Sequence, residues 1–177
     1  ALLDVMAGLD VGRPHWAPPP RRPYRELYAE RPRALRIRFT TRTPLAETHP
    51  EIAAAVERAA RLCADLGHHV EEADPEIARA AVVPTFLTLA AANTVVNLAG
   101  HPTAGLPPRP DGVERVTWAT AQKGEQITAA NYVRATQAAH RLGRQMAAFH
   151  TRHQVLLKQG LATLPVKLGW IDMMMED

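Results

Sequence analysis

The chain has 177 residues, 46% of them hydrophobic and 22% charged, which is enough for one ordinary domain with a core. Its net charge of +3 and pI near 9.4 come from arginines crowded into the first quarter, without the interleaved aromatics of a nucleic-acid surface, so no nucleic-acid partner is expected. Serine is absent throughout, which excludes a serine nucleophile among these residues, and the single Cys63 excludes an internal disulfide and suits a cytoplasmic setting.

The opening residues "ALLDVMAGLD" carry Leu2, Leu3 and Met6 at helical spacing before Gly8, and the first methionine lies inside that run. The expectation is a helix met in its middle, within an excerpt of a longer protein. "RPHWAPPPRRPY" is proline punctuation anchored by Trp16, followed by a helical turn over 24–30. "ALRIRFTT" alternates, with Leu35, Ile37 and Phe39 on one side and Arg36 and Arg38 on the other, and reads as a strand with one buried face.

"THPEIAAAVERAARLCADLG" is the strongest helix signal. Thr48 and Glu51 have capping-box spacing, Ile52, Val56, Ala59, Cys63 and Leu66 form one apolar stripe, and Gly67 ends it. A short strand centred on Val70 follows. Strand, helix and strand in this order predict a parallel crossover unit, which needs covering on both faces. Asp74 is placed to cap a helix entered through Pro75, with Pro84 as a break or kink and an alanine-rich continuation to Gly100. The apolar run Ala78–Ala99 is interrupted by Arg79, Pro84, Thr85, Asn93 and Asn97. It reads as a buried helix and not as a membrane span.

Residues 100–112 read as loop and 113–122 as helix. Thr128 caps a long helix whose seam is Tyr132, Ala135, Ala139, Leu142, Met146 and Phe149, and "QVLL" at 154–157 is a further strand. No glycine-rich phosphate loop is present.

Candidate chemistry is sparse. His150 and His153 stand one turn apart with His140 a face over, but a closed zinc site needs four ligands, and solvent-facing rings charged by the helix C-terminus are the simpler reading. His68 and His69 straddle a strand start and face opposite ways. Cys63 sits on the apolar stripe, where a thiol behaves as a small hydrophobe. Asn93 and Asn97, one turn apart in an apolar helix, face either another helix or a pocket, because a buried amide needs partners. These readings name no catalytic residue, no metal ligand and no cofactor, and leave substrate-binding residues unknown.

Several blocks together resemble the amidase signature family. "ALLDVMAGLD" is similar to the helix after that family's catalytic core, ending in a Gly-x-Asp turn at Gly8-Leu9-Asp10. "LRIRFTT" with "HPEIAAAVERAARLCADLGHHVEEADP" resembles its strand, helix and strand, and "ITAANYVRATQAAHRLGRQMAAFHTRHQVLL" its late helix and strand. "PHWAPPPRRPY" and "LATLPVKLGWIDMMMED" resemble the branch that contains 6-aminohexanoate cyclic-dimer hydrolases. The resemblance implies an α/β fold: a partial amidase-signature domain over 1–177, with a βαβ unit and several helices packed on an incomplete mixed sheet. It implies hydrolysis of the C–N bond of a small-molecule amide by a serine, a second serine on a cis peptide and a lysine, none of which has a counterpart here. The intact parent would bind that amide, with neither nucleic acid nor membrane as partner and a homodimer left open. A stand-alone binding module docking through the Tyr132–Phe149 seam, or a decayed reading frame, is the alternative. Where the family pattern has an aspartate and a Thr-Pro-Thr run, this sequence has Gln154 and Lys158-Gln159-Gly160.

Overall fold

Ile37 is 5% exposed while its neighbour Arg36 lies open to solvent, and the strand made by this alternation, β1 (Arg36–Thr40), is the centre of the sheet. The computed structural model describes residues 2–15, 17–43, 46–100 and 109–171. Trp16, most of the expected 100–112 loop and the last six residues lie outside the described residues. The chain divides into two units, Ala1–Leu35 and Arg36–Asp177.

The first unit holds two short helices, α1 (Leu2–Met6) and α2 (Tyr24–Tyr28). The Asp4 carboxylate accepts the backbone N–H groups of Tyr24 and Arg25, the latter at 3.2 Å, and so fills donors that the first turn of α2 leaves free. Leu2, Leu3, Val5 and Met6 are exposed.

In the second unit β1 pairs in parallel with β2 (His69–Glu72) on one side and β3 (Val155–Lys158) on the other, giving the order β2-β1-β3. Ile37 stands opposite Val70 and Val155. The crossover between β1 and β2 is α3 (Pro50–Asp65), which lies against all three strands. The described strands are all parallel, where a mixed sheet was expected.

The cap of α3 differs from the expected box. His49 is the N-cap, its Nδ1 accepting the Glu51 N–H at 3.3 Å, because Pro50 takes the first helical position. Thr48 is thereby released, and its hydroxyl donates to the Thr41 carbonyl at 2.6 Å. Along the stripe Val56 is buried, Ile52, Ala59 and Cys63 are half-buried and Leu66 is exposed, while Ala60, off the stripe, is buried. Gly67 turns the chain at φ +91°, a left-handed conformation that a side chain would strain.

Three helices form a second layer: α4 (Val82–Ala99), α5 (Arg115–Glu125) and α6 (Ala129–Arg152). Thr128 caps α6 as expected, accepting from the Asn131 N–H at 3.1 Å. The α6 seam is spent inside the fold. Ala135 and Phe149 are buried, Ala139, Leu142 and Met146 half-buried, and the helix packs on α4, so the seam is not free to dock a partner. Only Tyr132 at its start is exposed.

Two expectations for 74–99 are corrected. No helix starts at Pro75; a 3-10 turn at Arg79–Ala81 leads into α4, and Pro84 sits in the first turn of α4, where a missing N–H costs nothing. Nor is α4 buried. Thr85 and Ala91 face α5 and α6, but Phe86, Leu87 and Val96 face solvent. By length and composition Arg79–Ala99 is also apolar enough to cross a bilayer, with a mean hydropathy of 1.5.

Candidate functional site

The carboxyl ends of parallel strands are where open α/β sheets bind their ligands, and here that edge gathers a knot of polar groups. Thr40 ends β1 only 3% exposed, although its position in the alternation matches that of exposed Arg36. Its hydroxyl donates to Asp74, just beyond β2, and accepts the Arg42 N–H at 3.1 Å. Asp74 also holds Arg42 Nε at 3.0 Å and Arg79 Nη2 at 2.8 Å. Burial pulls the Asp74 carboxyl upward, but the Thr40 hydroxyl and the two guanidinium groups outweigh it and hold the carboxyl below its ordinary value. Asp74 was expected to cap a helix; it ties two strand ends to the start of α4 instead.

Gln159 lies beside this knot, after β3. Its Nε2 donates to the Thr41 carbonyl and to Thr48 Oγ1, both at 2.9 Å. Its Oε1 is a buried acceptor with no partner, the one such side-chain atom among the described residues. Against it opens an apolar groove of about 380 Å³ lined by Ile52, Val56, Ala59, Leu157, Leu161 and Pro165. The departures from the family pattern are accommodated locally. Gln154 Oε1 accepts the Arg36 N–H at 2.7 Å, and the Arg36 carbonyl takes the Gln154 N–H at 3.0 Å, so an amide starts the β1–β3 ladder without a carboxylate. Lys158 is exposed, which keeps its ammonium in water.

The histidines separate from one another in function. His150 Nδ1–H donates to the His153 carbonyl at 3.0 Å, and the Phe149 ring lies 5.1 Å from His150 and 4.8 Å from His153. Arg38 Nε donates to His153 Nε2 at 3.4 Å while Arg38 also pairs with Glu71. Desolvation, then the nearby Arg38, Arg152 and Arg36, lower the pKa of His153, so the expectation of a ring charged by the helix end is overturned for this residue. His140 is exposed on α6, and among the described residues no three His, Cys, Asp or Glu side chains converge on a common point.

A depressed histidine pKa has a definite sign. Stability from this ring is full above the ordinary value of 6.5 and is lost as pH falls below it, because the unfolded chain takes up the proton first. His153→Asn is therefore expected to flatten the decline of melting temperature below pH 6.5. An unchanged slope in a pH series of thermal melts would contradict the assignment.

Asn93 reaches neither a pocket nor another helix. Its Nδ2 donates to the Leu89 carbonyl of its own helix at 2.7 Å, and both Asn93 and Asn97 are exposed. Cys63 is half-buried on α3, short of the burial the stripe predicts, and His68 and His69 differ in exposure. What sequence reasoning missed is the Thr40–Asp74–Arg42–Arg79 knot. Its one legible signal is that Thr40 and Asp74 each stand at the exit of a strand in a parallel pair.

Comparison with known proteins places this geometry. The amidase family model matches residues 1–172. A Synechocystis sp. protein named "Putative amidase" is 30% identical over 170 residues, covering 96% of this chain and 31% of that protein. The 6-aminohexanoate-cyclic-dimer hydrolase of Pseudomonas sp. is 34% identical over 133 residues, covering 72% of this chain and 27% of the enzyme. A solved structure of 6-aminohexanoate cyclic dimer hydrolase complexed with substrate superposes with a TM-score of 0.71 at 29% identity, over 83% of this chain and 32% of that one. The chain spans about a third of the length of the relatives it matches.

Proposed function

The chain belongs to the amidase family, and on that premise we propose that it forms the sheet-and-helix third of an enzyme hydrolysing carboxamide C–N bonds, a part that shapes the protein around the chemistry without performing it. The family match over residues 1–172 carries the reading. The polar groups support the division of labour. At the strand ends the carboxylate of Asp74 is consumed by two arginines and a threonine, so it is no free base. With no serine in the chain and Cys63 half-buried on α3, neither hydroxyl nor thiol of that kind is poised for attack on an amide. The substrate is a small amide, and the single unpaired cysteine suits a cytoplasmic location.

The test has two parts. Pure 177-residue chain is expected to release no product from 6-aminohexanoate cyclic dimer or from a simple aryl amide. Turnover that survives thiol alkylation would overturn the non-catalytic assignment. The coding DNA upstream is expected to run in frame through a lysine and a glycine- and serine-rich stretch. A start codon just before Ala1 together with a stop just after Asp177 would overturn the reading as part of a hydrolase.

A further inference from the structure

Three strand starts meet in a cleft of about 200 Å³, lined by Arg36, Ile37, Arg38, His69, Glu71 and His153. Arg36 opens β1, His69 opens β2, and His153 stands two residues ahead of β3. Parallel pairing sets Arg36 opposite His69 and Arg38 opposite Glu71, and alternation puts all four on one face of the sheet. Arg152 at the end of α6 reaches the same corner, its carbonyl accepting from Arg36 Nε.

Charge in this cleft does not balance. Glu71 is the one acid on its lining and is held by Arg38, which leaves the guanidinium groups of Arg36 and Arg152 without a counter-charge among the described residues. Neither Nη of Arg36 meets an acceptor among those residues, and nor does Arg38 Nη2. The excess is felt at His153, where desolvation and then Arg38, Arg152, Arg36 and His150 disfavour the charged ring. A cleft lined by one sign of charge focuses its field and concentrates counter-ions.

We infer that this cleft is an anion site for a tetrahedral, phosphate-class dianion, gripped by the guanidinium forks of Arg36 and Arg38 with His69 and His153 at its sides. Three features choose that ligand. The volume lies below the roughly 300 Å³ at which sites for drug-sized molecules begin, so the anion itself is what fits inside. Two uncompensated guanidinium charges match two negative ones. Same-face neighbours on a strand stand about 7 Å apart, so the two forks approach one ion from two sides. A planar carboxylate satisfies one fork, whereas a tetrahedral phosphate offers oxygens to both. Occupied, the site ties β1, β2 and the α6–β3 corner together at the end of β1 away from the Thr40–Asp74 knot.

The experiment titrates the full 177-residue chain with inorganic phosphate at about pH 8, where the ion is doubly charged, with ionic strength held constant by sodium chloride. Calorimetry is expected to show one phosphate per chain with a dissociation constant of about 1 mM or lower. The His153 ring, followed by NMR, is expected to titrate at higher pH in phosphate than in chloride, because the anion offsets the guanidinium charges. Arg36→Gln should weaken binding at least about tenfold, as loss of a charged hydrogen-bond donor does. Arg36→Lys keeps the stem and the charge but not the fork, and should fall between the two. Arg58→Gln removes an equal charge from the exposed side of α3 and should change nothing. Methyl phosphate that binds as tightly as the free ion supports the site and assigns it to a phosphate ester; weaker methyl phosphate supports it and assigns the free ion. No binding under these conditions overturns the site. Equal losses from Arg36→Gln and Arg58→Gln reduce it to diffuse net charge and overturn it too, and acetate binding as tightly as phosphate overturns the tetrahedral class.

Discussion

Gly124→Ala is expected to lower the melting temperature by about 4–8 °C, although alanine is the better helix former. Gly124 lies inside α5 where that helix crosses α4. A Cβ there would stand 2.2 Å from the Ala91 carbonyl oxygen and 2.6 Å from Val95 Cγ2. The nearer atom belongs to the backbone of α4, so no rotamer change relieves the clash; the helices must separate. Separation undoes the closest packing of the helical layer and costs about 3 kcal/mol, at the upper end for an overpacked core. The gain in helix propensity is about 1 kcal/mol and does not offset it. For a chain of this length each kcal/mol moves the melt by about 2–4 °C. Gly143 in α6 supplies the control, since nothing lies within 4 Å of its added Cβ and Gly143→Ala should raise the melt slightly. Equal shifts from both substitutions would sink the account, because propensity alone would then explain them.

That contrast also bounds what a sequence can disclose. Local patterns were legible: the β1–α3–β2 crossover, the strand at 155–158, and the Thr128 cap with its α6 seam follow from alternation, stripe and cap chemistry. The cap of α3 was misplaced by one residue because Thr48 fits a capping box as well as His49 fits a proline-led start. The exposure of α4 was illegible for a different reason. An apolar helix announces that it will be covered, but composition is silent on whether the covering residues lie in the same 177. The amides of Asn93 and Asn97 were expected to face another helix or a pocket, but both are exposed, because their side of the helix depends on where α5 and α6 settle. Gly124 offered no hint at all, being one glycine in a polar stretch. Close approach of two helices is a property of their pairing.

Asp74→Ala is expected to cost about 2–3 kcal/mol, the worth of hydrogen bonds to a charged acceptor, and to unlock the end of β1 from the start of α4. The carboxylate is only 17% exposed and serves three donors on two stretches of chain: the Thr40 hydroxyl and Arg42 Nε at the end of β1, and Arg79 Nη2 before α4. These do not weigh equally. Arg42 is 67% exposed, and its pair is worth little in water. Thr40 is buried, and its hydroxyl has no other acceptor to turn to among its recorded bonds, so the Thr40–Asp74 bond dominates. Thr40→Val should consequently cost almost as much as Asp74→Ala, and the double variant little more than either, because both remove one interaction. The pH dependence separates this from simple loss of packing. The carboxyl titrates below its ordinary 3.8 in the folded chain, so its contribution is present above pH 3.8 and disappears as pH falls through the folded value. Wild type and Asp74→Asn should differ at neutral pH and converge well below pH 3.8. Melting curves that stay apart at the acid end would show that the charge is not what holds the strand ends together.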